Sequence, residues 1–599
     1  MLRLRGTSLR RTVALAIVIL AALVFLVRLV DVQVVSASAL NDDARDKRAV
    51  PVDILSVRGD IVDRDGNVLA TTDERYDVQL SPKNAKLNNG RFWRPDPERG
   101  GAATVEVTAD QAYAEIGAVT GQSAEEIRKI VDDAYAKDKN SDFAYVKRGI
   151  DLSQLNELKK LGIGWLTFTA QHERTYPNGA VAGNVVGFAG QDEEPQAGVE
   201  LSQNECLTGT NGSEVYERGA DGVALPGSVV VEKKAVDGGT VQLTIDRDLQ
   251  WEAQQAINEQ VERSIADWGL LVIMNAKTGE LVAVAEDGSV DPNDVDASDP
   301  AKREARSFTS PYEPGSTFKA ITAAALIDQG AATPTSQNLT PDYLEPEPNV
   351  RFGDSFNHPP MQWTLTGILT QSSNVGTSML GSALSEQVRY DYLQRFGIGV
   401  ATQAGMPVED SGLLYPPEQW DRQTSYNTMF GQGLSSTIVQ TAGVYQALAN
   451  GGTRVPPALV HSCTDADGNE QVLEHGEPVQ AVSSETAQQL VQMLETVANE
   501  AWFKDIVAIP GYRIAGKTGT AEQVDPNTGL YRTDFVNSFA GIFPADDPQY
   551  VAVASIAYAK AGDGPEAALR AFHDAAEATI RTFQIPPSSG EYQPLPTEY

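Results

Sequence analysis

The N-terminus constrains this chain more than any other stretch. Arg3, Arg5, Arg10 and Arg11 precede an apolar run, Val13 to Val30, that only Arg28 interrupts. As a helix these 18 residues reach about 27 Å, close to the hydrocarbon thickness of a bilayer. A buried helix of a soluble domain keeps a polar face, and this run has none. The arginine cluster belongs on the cytoplasmic side, which places everything after residue 31 outside. Arg28 near the far end can snorkel to the interface. A cleaved signal peptide is the competing reading, because Ala37 and Ala39 form an A-x-A-like site. That site lies well beyond Val30, and Asp31-Val32-Gln33-Val34-Val35 reads as continuing helix. We therefore expect an uncleaved single-pass anchor in the cell membrane, with the bulk of the chain extracytoplasmic.

An exported chain meets no ATP pool and is permitted disulfides. Cys206 and Cys463, the only cysteines, can pair or remain two buried thiols. They fall in separate predicted domains, so thiols are the simpler expectation. Two cysteines and five scattered histidines (His172, His358, His461, His475, His573) give no expected metal site. The 81 acidic and 47 basic residues leave a net charge of −34, the wrong field for holding nucleic acid.

Arg58 to Asn67 alternates and then turns at Asp65-Gly66, the pattern of a hairpin. Residues 40–50 are polar and read as helical, and 84–101 reads as a loop. Residues 109–137 have helical period, broken near Gly121, with a capping box at Ser123 and Glu126. The character changes after Ile245. A helix over 247–266 leads to strands at Leu270–Asn275 and Glu280–Ala285, and helices and strands then mix to about residue 585. We divide the chain into a cytoplasmic tail (1–12), an anchor (13–30), a small irregular domain (31–245), an α/β domain (246–585) and a Pro-rich tail (586–599) expected to be flexible.

Three segments can carry chemistry. Glu313-Pro314-Gly315-Ser316-Thr317-Phe318-Lys319 opens the helical run Ala320–Gly330. Pro314 and Gly315 are start signals, so Ser316 sits in the first turn and Lys319 shares its face. A serine needs a neighbour to take its proton, and a desolvated lysine with a lowered pKa can do so. The helix start also offers N–H groups to a developing oxyanion. Alone, S-x-x-K arises by chance roughly once or twice in a chain of this length. Gln371-Ser372-Ser373-Asn374-Val375-Gly376 adds a hydroxyl to relay a proton and an amide to hold a carbonyl, though alone it is an ordinary polar loop.

The third segment, Ala515-Gly516-Lys517-Thr518-Gly519-Thr520, reads as a strand with a cation and two hydroxyls along one edge. That edge suits an extended peptide ending in a carboxylate. Gly511 to Thr518 also fits the phosphate-loop pattern, with Ile506–Ile509 as its preceding strand. A phosphate loop must open a helix, and here Asp525-Pro526-Asn527-Thr528-Gly529 breaks the chain soon after. Tyr512, Arg513 and Ile514 also stand where bare backbone should meet phosphate. Nucleotide binding is set aside.

Together, S-x-x-K, S-x-N and K-T-G-T, in this order at 316, 372 and 517, are far more specific than any one of them. With them the chain resembles the class B penicillin-binding proteins, monofunctional peptidoglycan D,D-transpeptidases, and within these the division-type FtsI branch. The resemblance covers nearly the whole chain: Arg28 to Gln33 after the anchor, Arg58–Gly66, Arg174–Gly179 and Gly198-Val199-Glu200 in the pedestal, Thr244-Ile245-Asp246 with Leu249-Gln250, and Phe430 to Leu434. Asn499-Glu500-Ala501-Trp502 departs from the Gly-Thr pair common in the family, Val32 replaces Leu, and Asp65 stands where Asn is usual.

The resemblance implies an α/β (α+β) penicillin-binding transpeptidase domain, an antiparallel sheet flanked by helices, after an irregular β-rich pedestal and one N-terminal transmembrane helix. It implies no cofactor. Ser316 would be the nucleophile, Lys319 the general base, Ser372 the proton relay and Asn374 the ligand of the acyl chain. Lys517, Thr518 and Thr520 would hold the substrate carboxylate on the strand that carries Gly519. The backbone N–H groups of Ser316 and Thr520 would form the oxyanion hole. Expected partners are stem peptides, lipid-linked glycan strands, β-lactams, a SEDS-family glycan polymerase and divisome membrane proteins.

Rival readings meet specific obstacles. A bifunctional enzyme needs a glycosyltransferase domain between anchor and pedestal, and Arg58 leaves no room. A β-lactamase has no pedestal, and a penicillin sensor needs signalling membrane segments. The elongation-type branch of the same class differs only in anchor-proximal and pedestal details.

Overall fold

The structure, a computed structural model, describes residues 5–39, 45, 47–96, 103–190, 193–217, 227–525, 528–561 and 564–599. They form two compact units, one of residues up to 57 with 209–237, the other of 58–208 with 238–599. In the first unit α1 (Arg5–Val30) begins well before the expected residue 13 and passes into a π-helical turn, Asp31–Val35. Leu9–Val35 is long and apolar enough to cross a membrane, and none of its most apolar window is buried by protein. Arg28 pairs with Asp31 at its end. Strand Ala49–Ile54 pairs with Gly212–Glu217, which pairs with Val230–Lys233. Ala49 and Val50 are thus strand where a helix was expected, and residues 40–44 and 46 lie outside the described set.

The second unit opens with the hairpin read from the sequence. Ile61–Val62 pairs with Val68–Leu80, and the Asp63 carboxylate closes the turn by accepting from the N–H groups of Asp65 (2.9 Å) and Asn67 (2.8 Å). Strands Ala144–Ile150 and Leu166–Thr175 flank Val68–Leu80. Gly121, at φ 74°, ends helix Ala109–Thr120, and the Ser123–Glu126 capping box starts helix Ala124–Lys137. Tyr113, Ile116, Ile127, Val131 and Trp165 form the core between these helices and the sheet. The stretch 84–101 is not simply a loop. Arg91–Pro95 pairs with Thr104–Thr108 and turns Phe92 onto Trp165 at 5.4 Å, while 97–102 lie outside the described residues.

This sheet continues past the boundary expected at 245. Ile61–Val62 pairs with Thr240–Leu243, which pairs with Val460–Thr464 and onward to Glu470–Val472. Cys206 and Cys463 meet there as a disulfide, their Cα atoms 6.2 Å apart across 257 residues of sequence. The expectation of two thiols is corrected, because strand pairing joins segments that the linear domain division kept apart. Beside it the three pedestal motifs converge on one carboxylate. Glu200, fully buried, accepts from Arg58 Nε (2.8 Å), Arg174 Nε (2.7 Å) and the Tyr176 hydroxyl (3.3 Å).

After α2 (Arg247–Ser264), strands β1 (Trp268–Asn275), β2 (Leu281–Glu286), β3 (Ala515–Val524), β4 (Tyr531–Phe543) and β5 (Tyr550–Ala557) form an antiparallel sheet in the order β2-β1-β5-β4-β3. Between β2 and β3 lie α3 (Lys319–Asp328), α4 (Leu365–Thr370), α5 (Asn374–Gly381), α6 (Ile438–Ala449) and α7 (Ser484–Glu500), and α8 (Gly564–Thr582) follows β5. Helices α2 and α8 pack against each other and the sheet, as does α6, while α7 lies along β3. Every residue of β5 is buried, as befits a central strand covered on both faces.

The Pro-rich tail is docked rather than flexible. Ser588 Oγ donates to Asp546 (2.6 Å), Leu595 N–H to Thr496 on α7 (3.2 Å), and Thr364 N–H to Thr597 O (3.0 Å). Prolines that bar a helix also hold the segment extended, and its free carbonyls meet donors at the start of α4. Gly367 is required there, since a Cβ would fall 1.9 Å from Thr597 O.

Candidate active site

Ser316 lies on a single 3₁₀ turn, Gly315–Phe318, that runs directly into α3. Two glycines allow β3 to touch this turn backbone to backbone. Gly315, at φ +58°, would bring a Cβ to 2.8 Å from Thr520 O, and Gly519 would bring one to 2.8 Å from Pro314 O. The turn is fixed from several sides. Gly315 N–H donates to Gly431 O (2.9 Å), the Tyr445 hydroxyl to Thr317 O (2.9 Å), and Gln523 on β3 clamps the backbone of Glu313 (2.9 and 3.1 Å). Ser316 itself stays half-buried at a cleft.

Both lysines are buried, Lys319 at 0% and Lys517 at 1% exposure. They converge on one residue. Lys319 Nζ donates to the Ser372 carbonyl and lies 3.4 Å from its hydroxyl, which accepts from Lys517 Nζ at 2.9 Å. Burial drives the Lys319 amine well below the ordinary lysine range; the Lys517 charge pushes the same way and Asp354 opposes. Burial pushes Lys517 down to about 7. Burial thus shifts Lys319 toward the amine form, whose lone pair can accept a proton.

Ser372 sits between α4 and α5 at φ +57°, a left-handed conformation that costs a non-glycine residue roughly 1–2 kcal/mol. The fold holds it there, with Ser372 N–H on Leu369 O (3.1 Å) and Ser373 N–H on Ile368 O (2.9 Å). Asn374 opens α5 and donates to Gly353 O at 3.1 Å. On β3 the two-residue period sorts the third motif. Lys517 and Gly519 face inward, Thr518 is half-buried and Thr520 is exposed. Lys517 is buried along its length, yet its Nζ reaches Thr518 Oγ1 at 3.3 Å, so the cation and that hydroxyl meet as expected. Thr520 Oγ1 bonds Asn537 at 3.4 Å.

Ser316, Ser372, Asn374, Thr518, Gly519 and Thr520 line a single cleft of about 810 Å³. The structure thus gathers all eight residues singled out in the sequence, six on the cleft wall and the two lysines behind it. It also disposes of the phosphate loop, since the lysine of that pattern lies inside β3 and Lys504–Val507 is a helical turn, not the expected strand.

Sequence reasoning missed three participants. The Glu313 carboxylate, pushed up to about 7 by burial, accepts from the Tyr531 hydroxyl (3.0 Å) and Gly433 N–H (3.2 Å). Its position directly before Pro-Gly-Ser was the available signal. Ser373 caps α5 and bonds Asp354 (2.6 Å). Asp354 gave no signal, standing in a stretch without period or motif.

Two family models match the chain: the penicillin-binding protein transpeptidase domain over residues 269–576 and the penicillin-binding protein dimerisation domain over 53–243. Penicillin-binding protein PbpB of Mycolicibacterium smegmatis is 36% identical over 598 residues, covering 97% of this chain and 91% of that one. Peptidoglycan D,D-transpeptidase FtsI of Escherichia coli is 29% identical over 575 residues, 95% and 91% of the two chains. The crystal structure of penicillin-binding protein 3 from Mycobacterium tuberculosis complexed with aztreonam is similar with a TM-score of 0.69 at 29% identity, covering 92% of this chain and 100% of that one.

Proposed function

The chain belongs to the class B penicillin-binding proteins and is a peptidoglycan D,D-transpeptidase with an N-terminal apolar helix; from that premise we propose that Ser316, Lys319, Ser372, Asn374 and Lys517 carry the reaction, with Thr518, Gly519 and Thr520 binding substrate. One observation carries this assignment. The Ser372 hydroxyl is held by one buried amine and approached by a second, on the wall of the cleft that exposes Ser316. Lys319, its amine form favoured by burial, takes the Ser316 proton as Oγ attacks the carbonyl between two terminal D-alanines. Backbone N–H groups of Ser316 and Thr520 receive the oxyanion. The C–N bond breaks, and Ser372, fed by its amines, passes a proton to the departing D-alanine nitrogen. A second stem peptide's amine then attacks the ester, releases Ser316 and leaves the cross-link.

Lys517, whose Nζ lies 3.3 Å from Thr518 Oγ1, and the hydroxyls of Thr518 and Thr520 hold the substrate's terminal carboxylate, and Asn374 holds the acyl chain. β-Lactams bind as in the family, and here the ring-opened drug stays on Ser316 as an ester. The anchor keeps the bulk of the chain outside the membrane, where the substrate lies. The relatives named PbpB and FtsI support a septal role, and the partners we propose for it are a SEDS-family glycan polymerase and divisome membrane proteins.

Fluorescent-penicillin labelling of membranes tests the assignment. The wild type should label covalently and pellet with membrane, and Ser316→Ala should not label. A folded wild type without label would refute it.

A further inference from the structure

Behind the cleft wall, hairpin Tyr343–Glu347/Val350–Gly353 delivers Asp354 to the start of α5. Its side chain is 1% exposed, yet it meets two donors and a histidine nitrogen. Ser373 Oγ donates to Oδ2 (2.6 Å), Val375 N–H to Oδ1 (3.0 Å), and His358 Nε2 lies 3.0 Å from Oδ2. Gly353, one residue earlier, accepts from Asn374 Nδ2 (3.1 Å). Two consecutive residues therefore hold Ser373, Asn374 and Val375 together, immediately after the left-handed Ser372. His358 is itself pinned, its other nitrogen 2.8 Å from Pro359 O and its ring between Phe356 (5.0 Å) and Trp363 (4.8 Å). A carboxylate at a helix start is favoured by the free N–H groups there. Its placement also acts on the general base, because the charged groups bearing on Lys319 are Lys517 and Asp354, of opposite sign.

We propose that Asp354, fastened by His358, is a positioning residue that fixes the S-x-N turn and so sets where the Ser372 hydroxyl stands between the two lysines. The inference rests on the assignment of Ser316 and Lys319 above. A carboxylate out of reach of solvent that touches no substrate has its effect through geometry, and misplacement of a reacting group by 1 Å costs about 100-fold in rate.

The test is acylation kinetics of the full-length membrane protein with a fluorescent penicillin, separating the acylation rate constant from the binding constant. Asp354→Asn keeps the side chain's shape, loses the charge and turns one acceptor into a donor. It should lower the rate constant by about 100-fold and leave drug binding within about twofold. Ser373→Ala should lower the rate in the same direction, and the double variant should be no worse than Asp354→Asn alone. Removing the charge should also move the acidic limb of the rate profile to lower pH, because Lys319 then holds its proton less tightly. An unchanged rate constant in Asp354→Asn would overturn the proposal. So would parallel losses of rate, binding and melting temperature with the acidic limb unmoved, which would mark a plain structural role. Failure of the wild type to label would instead remove the assignment on which the inference stands.

Discussion

In two of the places where this molecule buries cations, it does so to opposite ends. In the pedestal, Arg58 and Arg174 are 3% exposed at their side chains and share the Glu200 carboxylate. At the active site, Lys319 and Lys517 are as deeply buried, but their meeting point is a hydroxyl and a carbonyl. Guanidinium keeps its proton under any desolvation a protein can impose, and the paired carboxylate offsets the burial. An amine without a bonded carboxylate gives its proton up. The same physical act, taking a cation out of water, builds a joint in one place and, on the reaction proposed above, a base in the other.

The sharpest way to break this comparison is Lys319→Met. It should lower acylation by about 10³–10⁴-fold while the melting temperature holds or rises, since a desolvated amine is replaced by an apolar chain of similar length. Lys319→Arg should lose acylation equally, because arginine cannot supply the lone pair. Retained labelling in either variant would remove Lys319 as the base.

Glu200→Gln addresses the other half. Leaving two guanidiniums buried without their carboxylate should destabilise the protein by about 3–5 kcal/mol. The molecules that stay folded should acylate at the wild-type rate. A slower rate at unchanged stability would mean that the pedestal joint reaches the chemistry directly.

Replacing Cys206 and Cys463 together by serine should lower stability by about 2–4 kcal/mol, measured by thermal unfolding with and without reductant. Insensitivity of the wild type to reductant would contradict a contribution from the bridge. The smallest effects are those of pH. Glu313 binds its proton more tightly folded (about 7) than unfolded (4.5), so its contribution is complete below about 4.5 and lost as pH rises through about 7. Lys517 has the opposite sign. Its folded value of about 7 lies below the ordinary 10.5, so its contribution is complete above about 10.5 and lost as pH falls through about 7. Differences in melting temperature between wild type and Glu313→Gln, and between wild type and Lys517→Met, should therefore vary with pH in opposite directions.

What the sequence disclosed was what is local or periodic. The capping box at Ser123, the Asp-Gly turn after Val62 and the Pro314-Gly315 start before Ser316 all act within a few residues, and each stands where it was read. The three motifs were legible because each keeps its reactive residues within four positions. Contacts closed over long distances left no such trace. Nothing near Cys206 announces strand Val460–Thr464, and nothing in Pro586–Tyr599 announces that its carbonyls meet Thr364. Asp354 was invisible because its role is defined by which backbone it reaches.

The sheet that runs from Thr240–Leu243 into Val460–Thr464 also governs the order in which this protein can be made. On the extracytoplasmic topology proposed above, residues 58–208 emerge from the membrane before Val460–Thr464, a partner strand synthesised more than two hundred residues later. Until Val460 has crossed, Thr240–Leu243 presents an open edge and Cys206 an unmatched thiol. The nascent protein therefore passes through an interval in which it needs shielding from other exported chains. For the same reason a fragment ending at residue 245 is not a smaller version of the pedestal but an interrupted one.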